Sequence, residues 1–334
     1  MNHAMSELFE RMRQFKVLVL GDVMIDRYVL GHVSRVSPEA PVPVVHFQKE
    51  ENRLGGAANV ALNIAAMGAT PLLVSLIGHD AYGTQFLHLL PQASIAPHGI
   101  VSSHHRRTTV KTRVIAQGQH LLRIDREDTH PLNQEEEAHI LAHLQQLLKA
   151  ESPDVLILQD YNKGLLTPKV IEQTIQWCRA RQIPTAVDPK RHNFFAFRQT
   201  TLFKPNLKEV SDALGWAVQP TLTDLAQASQ QLRQQLDHHI TLITLSEKGI
   251  FFDDGKEMGI LPAHPRDIAD VCGAGDTVIS IATLALAAGL SVSQIALLAN
   301  LAGGQVCERV GVVPVEAQRL MHEWTQAFAP QRTS

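Results

Sequence analysis

The sequence predicts an α/β protein with a largely parallel sheet covered by helices on both faces. Two patterns and one bound carry that reading. Short β-rich runs alternate with helical ones from end to end, which is the signature of parallel strands joined by crossover helices. Two segments, 27–48 and 106–125, break the alternation; rich in β-branched residues and poor in helical period, they read as strands outside the main sheet. A length of 334 residues with 45% hydrophobic side chains suits one large domain, taken as 1–334.

In chain order, residues 16–20 form the first strand. The segment 27–48 follows, in which Val42, Val44 and Phe47 alternate as a half-buried strand should. A helix over 57–67, a strand over 72–77 and a helix over 81–90 precede the second irregular segment, 106–125. Beyond it come a helix over 134–149, a strand over 155–159, and a helix over 168–181 that opens with Thr167 as cap and Pro168 in its first turn. Strands over 185–187 and 202–204, helices over 206–214 and 222–236, and a strand over 240–244 continue the pattern. Helices over 277–288, 292–307 (capped by Ser291) and 314–327 complete it, with no internal repeat and no low-complexity linker.

Composition excludes several classes. A net charge of −3 leaves no basic excess for nucleic acid. The longest apolar stretches, such as 278–288, fall short of the roughly 20 residues that a membrane span requires. The first fifteen positions are polar and charged, without a secretory core. Cys178, Cys272 and Cys307 are far apart and form no C-x-x-C pair, so neither a disulfide framework nor a zinc site is expected, and a reducing cytoplasm is the expected compartment. The histidine pairs His104-His105 and His238-His239 read as solvated surface rather than metal ligands.

The run Asp270-Val271-Cys272-Gly273-Ala274-Gly275-Asp276-Thr277 carries the most chemistry. Gly273, Ala274 and Gly275 leave backbone amides uncovered at a helix start, where the positive end of the macrodipole favours an anion. Asp276 then stands beside a bound phosphate, placed to take a proton from a hydroxyl aimed at the terminal phosphorus. A tight turn with an Asp N-cap reads the run equally well. Near the other end of the chain lies a second cluster, Gly55-Gly56-Ala57-Ala58-Asn59-Val60-Ala61, followed by Gly68 and Gly78.

Together the clusters resemble the ribokinase-like carbohydrate kinases of the phosphofructokinase-B type, over nearly the whole chain. Small residues common in that family stand here as Ile279 and Ile281, and a common Thr as Cys272. The stretches Gly21–Tyr28, Ser34–Val45, Asp160–Gly164, Val187–Lys190 and Pro205–Glu209 look like the heptose 7-phosphate kinases of lipopolysaccharide precursor synthesis. Members are often fused to an adenylyltransferase; no His-x-Gly-His motif occurs in these 334 residues, so the likeness is to the stand-alone kinase. The resemblance implies a ribokinase-like three-layer sandwich whose segments 27–48 and 106–125 form a β-sheet lid over the sugar and, in many members, a homodimer interface.

For the sugar, Asp22 and Asp26 suit vicinal hydroxyls, Gly55 and Gly56 allow close approach of backbone, and Asn59 lies a helical turn on. A phosphosugar also needs cations, for which Arg113, Lys163, Lys190 and Arg35 are candidates; a solvated charge or a salt bridge is the alternative for each. For ATP the resemblance points to Asn206, Leu207, Lys208 and Glu209, to Ser246 and Gly249, and to Asn300, Gly303 and Gly304. Asn206 and Glu209 would order Mg²⁺ largely through water, although the same spacing makes a helix capping box. K⁺ is a further candidate ion at the loop near Asp270. The expected reaction is phosphorylation of the anomeric hydroxyl of D-glycero-β-D-manno-heptose 7-phosphate, with Asp276 as base and the amides of Ala274, Gly275 and Asp276 receiving the developing charge. Kinases of fructose phosphates or ribose on the same fold, and a non-catalytic sugar-binding protein, are the alternatives.

Overall fold

The structure, a computed structural model, describes residues 2–327; the ends of the expected 1–334 unit lie outside them. After α1 (Asn2–Met12) and β1 (Lys16–Gly21), the long strands β2 (Val23–Val36) and β3 (Pro43–Gly56) lead into α2 (Ala57–Ala66), β4 (Thr70–Gly78), α3 (Ala81–Gln92) and β5 (Ile100–Ser103). The strands β6 (Val110–Ala116) and β7 (Gln119–Arg126) precede α4 (Gln134–Ala150), β8 (Val155–Gln159), α5 (Pro168–Ala180), β9 (Thr185–Asp188), β10 (Leu202–Phe203), α6 (Leu207–Leu214) and α7 (Leu222–Leu236). The chain closes with β11 (Ile240–Thr244), β12 (Ile250–Asp253), β13 (Met258–Leu261), α8 (Ala274–Ala287), α9 (Val292–Cys307) and α10 (Ala317–Ala327).

The main sheet has the order β13-β12-β11-β10-β9-β8-β1-β4-β5. It is parallel from β5 to β11 and antiparallel only at β12 and β13. The central parallel strands β1, β4 and β8 are apolar on both faces because helices cover both. In β1, Val17 and Val19 pack with α2, α8 and α9, while Leu18 and Leu20 pack with α4 and α5. Burial of each such side chain contributes roughly 1.5–3 kcal/mol, and the period-two split between the cores fixes the register of β1 in the sheet.

The second sheet, β3-β2-β6-β7, is the anticipated lid, with different bounds. Its strands begin at Val23 and run on to Gly56, so the Gly55-Gly56 pair ends a strand as well as opening a helix. Val42 precedes β3, and Val42 and Phe47 are exposed rather than half-buried, because nothing among the described residues covers that part of the sheet. The elements α1, β5, β12 and β13 were not anticipated; the three strands are only four residues long, too short for a period to stand out, and β5 and β13 form the two edges of the sheet. His238 is buried, not solvated: it packs beside Phe203 and its Nε2 lies 2.7 Å from Thr241 Oγ1. Helix α8 starts at Ala274, three residues earlier than its apolar run suggested, with Gly273 as N-cap.

Candidate active site

The site forms along the carboxyl ends of adjacent parallel strands, the usual ligand crevice of such sheets. Register places Gly21 beside Gln159 and Gln159 beside Asp188, so that Asp22, Gln159 and Asp188 emerge from three neighbouring strands. Lys204 follows β10, and its Nζ lies 3.2 Å from Asp188 Oδ2 in a buried ion pair. Above this row sits the first turn of α8, carrying Asp276.

Asp276 is only 6% exposed. Its Oδ2 accepts from Asn59 Nδ2 at 2.8 Å, and its Oδ1 accepts from Gln159 Nε2 at 3.3 Å and from the Tyr161 hydroxyl. Burial pushes its pKa up to about 6, against the hydrogen bonds from Tyr161 and Asn59; Asp188 pushes the same way as burial and Lys204 opposes it. A carboxylate poised there is a base suited to neutral pH. The helix start at Ala274 makes Ala274, Gly275 and Asp276 the first three residues, whose amides precede the i→i−4 pattern. The Ala274 amide donates to Val271 O at 3.3 Å, which removes it from the expected set of anion donors and leaves Gly275 and Asp276. Gly273 has φ +80°, and a Cβ there would stand 2.9 Å from Asn59 Nδ2, so both glycine clusters meet at the carboxylate.

On the sugar side, Asp26 Oδ1 accepts from Arg113 Nη1 at 2.5 Å, and both groups are largely buried. Gly55 makes room for that carboxylate, since a Cβ would come within 2.1 Å of Asp26 Oδ2. Gly56 caps α2 next to it. Arg53 and Arg113 both lie over the Tyr28 ring, and the Tyr28 hydroxyl accepts from the Val312 amide at 3.3 Å. Four residues assigned to the sugar from sequence sit differently in three dimensions. The Asp22 carboxylate is turned into a loop, accepting the amides of Tyr161, Lys163 and Leu165, rather than offered to hydroxyls. Asn59 is wholly buried against Asp276. Lys163 pairs with Glu127 at 2.7 Å, and Arg35 lies on the exposed part of the lid.

On the nucleotide side a cleft of about 830 Å³ is lined by Asn206, Leu207, Lys208, Ser246, Gly249, Asn300, Gly303 and Gly304 together with Ala274 and Gly275. The predicted nucleotide residues, Glu209 excepted, therefore share one cavity that reaches the start of α8. Glu209 is outside this lining: its Oε2 accepts the Asn206 amide at 2.9 Å and Asn206 Oδ1 accepts the Glu209 amide at 2.8 Å, a complete capping box. Lys190 lies with this group and not with the sugar. Its Nζ is 2.5 Å from Glu209 Oε1 and 3.9 Å from Asp188 Oδ1; burial works against its charge, but the two carboxylates outweigh burial and hold its pKa above the usual range. Among the described residues no cluster of three or more His, Cys, Asp or Glu side chains makes a metal cage. The donors that fit Mg²⁺ are Glu209 and Asp188, whose buried Oδ1 lacks a hydrogen-bond partner; few protein ligands suffice because this ion retains water. Asp270 closes its own loop by accepting the amides of Cys272 at 3.0 Å and Gly311 at 2.9 Å.

Gln159, Tyr161, Asp188 and Lys204 were missed as site residues. Tyr161 and Asp188 lie inside stretches that carry the resemblance, while for Gln159 and Lys204 the signal was position, at or just past the end of a parallel strand.

A buried carboxylate at a helix start, beside a nucleotide-sized cleft and below a small second sheet, fits a phosphotransferase acting on a carbohydrate. The profile of the pfkB family carbohydrate kinases matches residues 14–318, and the chain belongs to that family of ATP-dependent sugar kinases. It is 41% identical over 324 residues to the bifunctional protein HldE of Magnetococcus marinus, covering 96% of this chain and 65% of that protein. It is 40% identical over 321 residues to the HldE of Caulobacter vibrioides, with 96% and 65% covered. The chain thus spans slightly less than two thirds of the length of these relatives. In fold it is similar to phosphofructokinase-2 from Escherichia coli in complex with potassium, with a TM-score of 0.77 at 20% identity, covering 93% of this chain and 99% of that one. Ribokinase from Arabidopsis thaliana complexed with ribose and ATP gives 0.71 at 17%, covering 92% and 99%.

Proposed function

We propose that the chain phosphorylates the anomeric hydroxyl of D-glycero-β-D-manno-heptose 7-phosphate, giving the 1,7-bisphosphate in ADP-heptose and lipopolysaccharide core synthesis in the cytoplasm. The observation that carries the chemistry is the Asn59–Asp276 bond, which joins the sugar-side glycine cluster to the base at the head of the nucleotide cleft. Support for the substrate comes from the HldE relatives and from the cation-rich lid, where Arg53 and Arg113 flank Tyr28 beside Asp26.

In this mechanism Asp276 takes the proton of the anomeric hydroxyl, whose oxygen attacks the γ-phosphorus in line; the bond from that phosphorus to the bridging oxygen breaks and ADP leaves. The amides of Gly275 and Asp276 face the charge that develops. Glu209, with Asn206 and Asp188, would hold Mg²⁺ largely through water, and the bound ion would supply neutralisation of the phosphates. K⁺ is the candidate ion for the loop that Asp270 closes. The lid excludes water from the sugar and joins two chains as a homodimer, presenting its exposed Phe47, Leu122 and Ile124.

ADP release across heptose 7-phosphate, fructose phosphates, ribose and nucleosides tests this reading. Heptose 7-phosphate is expected to give the highest kcat/KM, and Asp276→Asn to lose about 10²–10⁴-fold in turnover while still binding ATP. Preference for another sugar would move the chain to a different kinase of the family, and near-wild-type turnover of the variant would remove Asp276 from the base role.

A further inference from the structure

Asp276 accepts three side-chain donors, and the Tyr161 hydroxyl is the one delivered from a loop rather than from a strand or a helix. That loop has an unusual internal anchor. The amides of Tyr161 and Lys163 reach Asp22 Oδ2 at 3.0 Å each, and the Leu165 amide reaches Oδ1 at 3.1 Å. Asn162 and Gly164, the residues between them, have φ +53° and +92°, which turns alternate amides to one side as in an anion nest. The nest is filled by the chain's own buried carboxylate.

We propose that Asp22 and Tyr161 form a positioning relay for the base, in which Asp22 pins the loop, the loop aims the Tyr161 hydroxyl, and the hydroxyl fixes the rotation of the Asp276 carboxylate. The inference rests on the reading of Asp276 as base and goes beyond it by giving Asp22 a task other than sugar contact. The hydroxyl stays a donor, because burial and the neighbouring carboxylates, Asp276 first, hold its pKa well above the usual range. With Tyr161 and Gln159 on Oδ1 and Asn59 on Oδ2, the remaining acceptor position on Oδ2 is the one left for a substrate hydroxyl.

The charged groups that face Asp276 and Tyr161 are Asp188 from β9, Lys204 from beyond β10, Asp26 from β2 and Lys190, whose Nζ stands 6.0 Å from the centre of the Tyr161 ring, while Asp22 is faced by Asp160 and Arg106. None of them is altered by the substitutions below. A hydroxyl that donates to a carboxylate favours its ionised form, so removing it raises the pKa of the base.

The test is the pH dependence of kcat/KM for the phosphosugar in Tyr161→Phe, Asp22→Asn and the double variant, with Asp276→Asn as control. The acid limb is expected to move up by about one pH unit in Tyr161→Phe, so that activity at pH 6 falls roughly fivefold further than at pH 9. Asp22→Asn is expected to move the limb the same way by less, and the double variant to match Tyr161→Phe alone, since both act on one path. Should the Phe variant not fold, the limb of Asp22→Asn decides. An unmoved limb in the folded single variants overturns the relay, as does full additivity in the double variant. An active Asp276→Asn enzyme overturns the base itself, a different failure.

Discussion

At the residue scale, the site is a set of buried carboxylates separated by what each one touches. Asp276 is held by three side-chain donors, Asp22 by three loop amides, and Asp160 by the Asn162 amide at 2.7 Å with its second oxygen buried and without a hydrogen-bond partner. Burial, and then Asp22, push the Asp160 carboxyl up to about 7 from an ordinary 3.8. The folded state therefore binds this proton more tightly than the unfolded chain. The stability it contributes is complete below about pH 3.8 and is lost as pH rises through about 7. Asp160→Asn, neutral at every pH, is expected to gain stability relative to the parent between pH 5 and pH 8, by on the order of a few kcal/mol. Thermal melts at the two pH values measure this, and a parent–variant difference that does not change with pH would show that Asp160 stays ionised in the fold. Sequence alone could name Asp22 and Asp276 as important, but it could not say that one is turned into a loop and the other is held by three side-chain donors, because that depends on which groups arrive from distant residues.

At the element scale, the lid and the main sheet are joined through β2 and β3, which begin at the end of β1 and return into α2. This continuity places Asp26 and Gly55 side by side at the base of the lid. The absence of a side chain at Gly55 leaves the space that Asp26 Oδ2 fills while its other oxygen accepts from Arg113. Gly55→Ala is expected to displace Asp26, raising KM for the sugar by up to ~10²-fold with KM for ATP close to the parent. Steady-state kinetics varying each substrate in turn would distinguish this from equal effects on both, which would mean a general disturbance of α2. The helices α7 and α9 could be bounded to the residue from sequence, since their caps and apolar stripes agree. Helix α8 could not, because Ala274, Gly275 and Asp276 lie in a Gly-rich turn whose helical geometry depends on Gly273 at φ +80° against Asn59.

At the scale of the whole molecule, the outer part of the lid leaves an apolar surface. Phe47 is 65% exposed, Leu122 55% and Ile124 53%, whereas the faces of the main sheet are covered by helices. The proposed homodimer would cover that surface. Phe47→Glu is expected to shift the chain from dimer to monomer in sedimentation velocity at micromolar concentration, since a charge would be desolvated at the interface. A parent chain that sediments as a monomer would remove the lid from that role. No helix among the described residues is long and apolar enough to cross a membrane.

What the sequence determined by itself was the alternation of elements, the lidded α/β architecture and the two glycine clusters that carry the kinase resemblance. These are local quantities, set by periodicity, caps and short-range backbone requirements. The tertiary structure decided which polar groups share a pocket. It put Lys190 with Glu209, turned Asp22 into the loop that carries Tyr161, and brought Gln159, Asp188 and Lys204 to the site from the ends of separate strands. Their chain separation leaves no pattern in a linear sequence, and only the parallel register of β1, β8, β9 and β10 sets them next to one another.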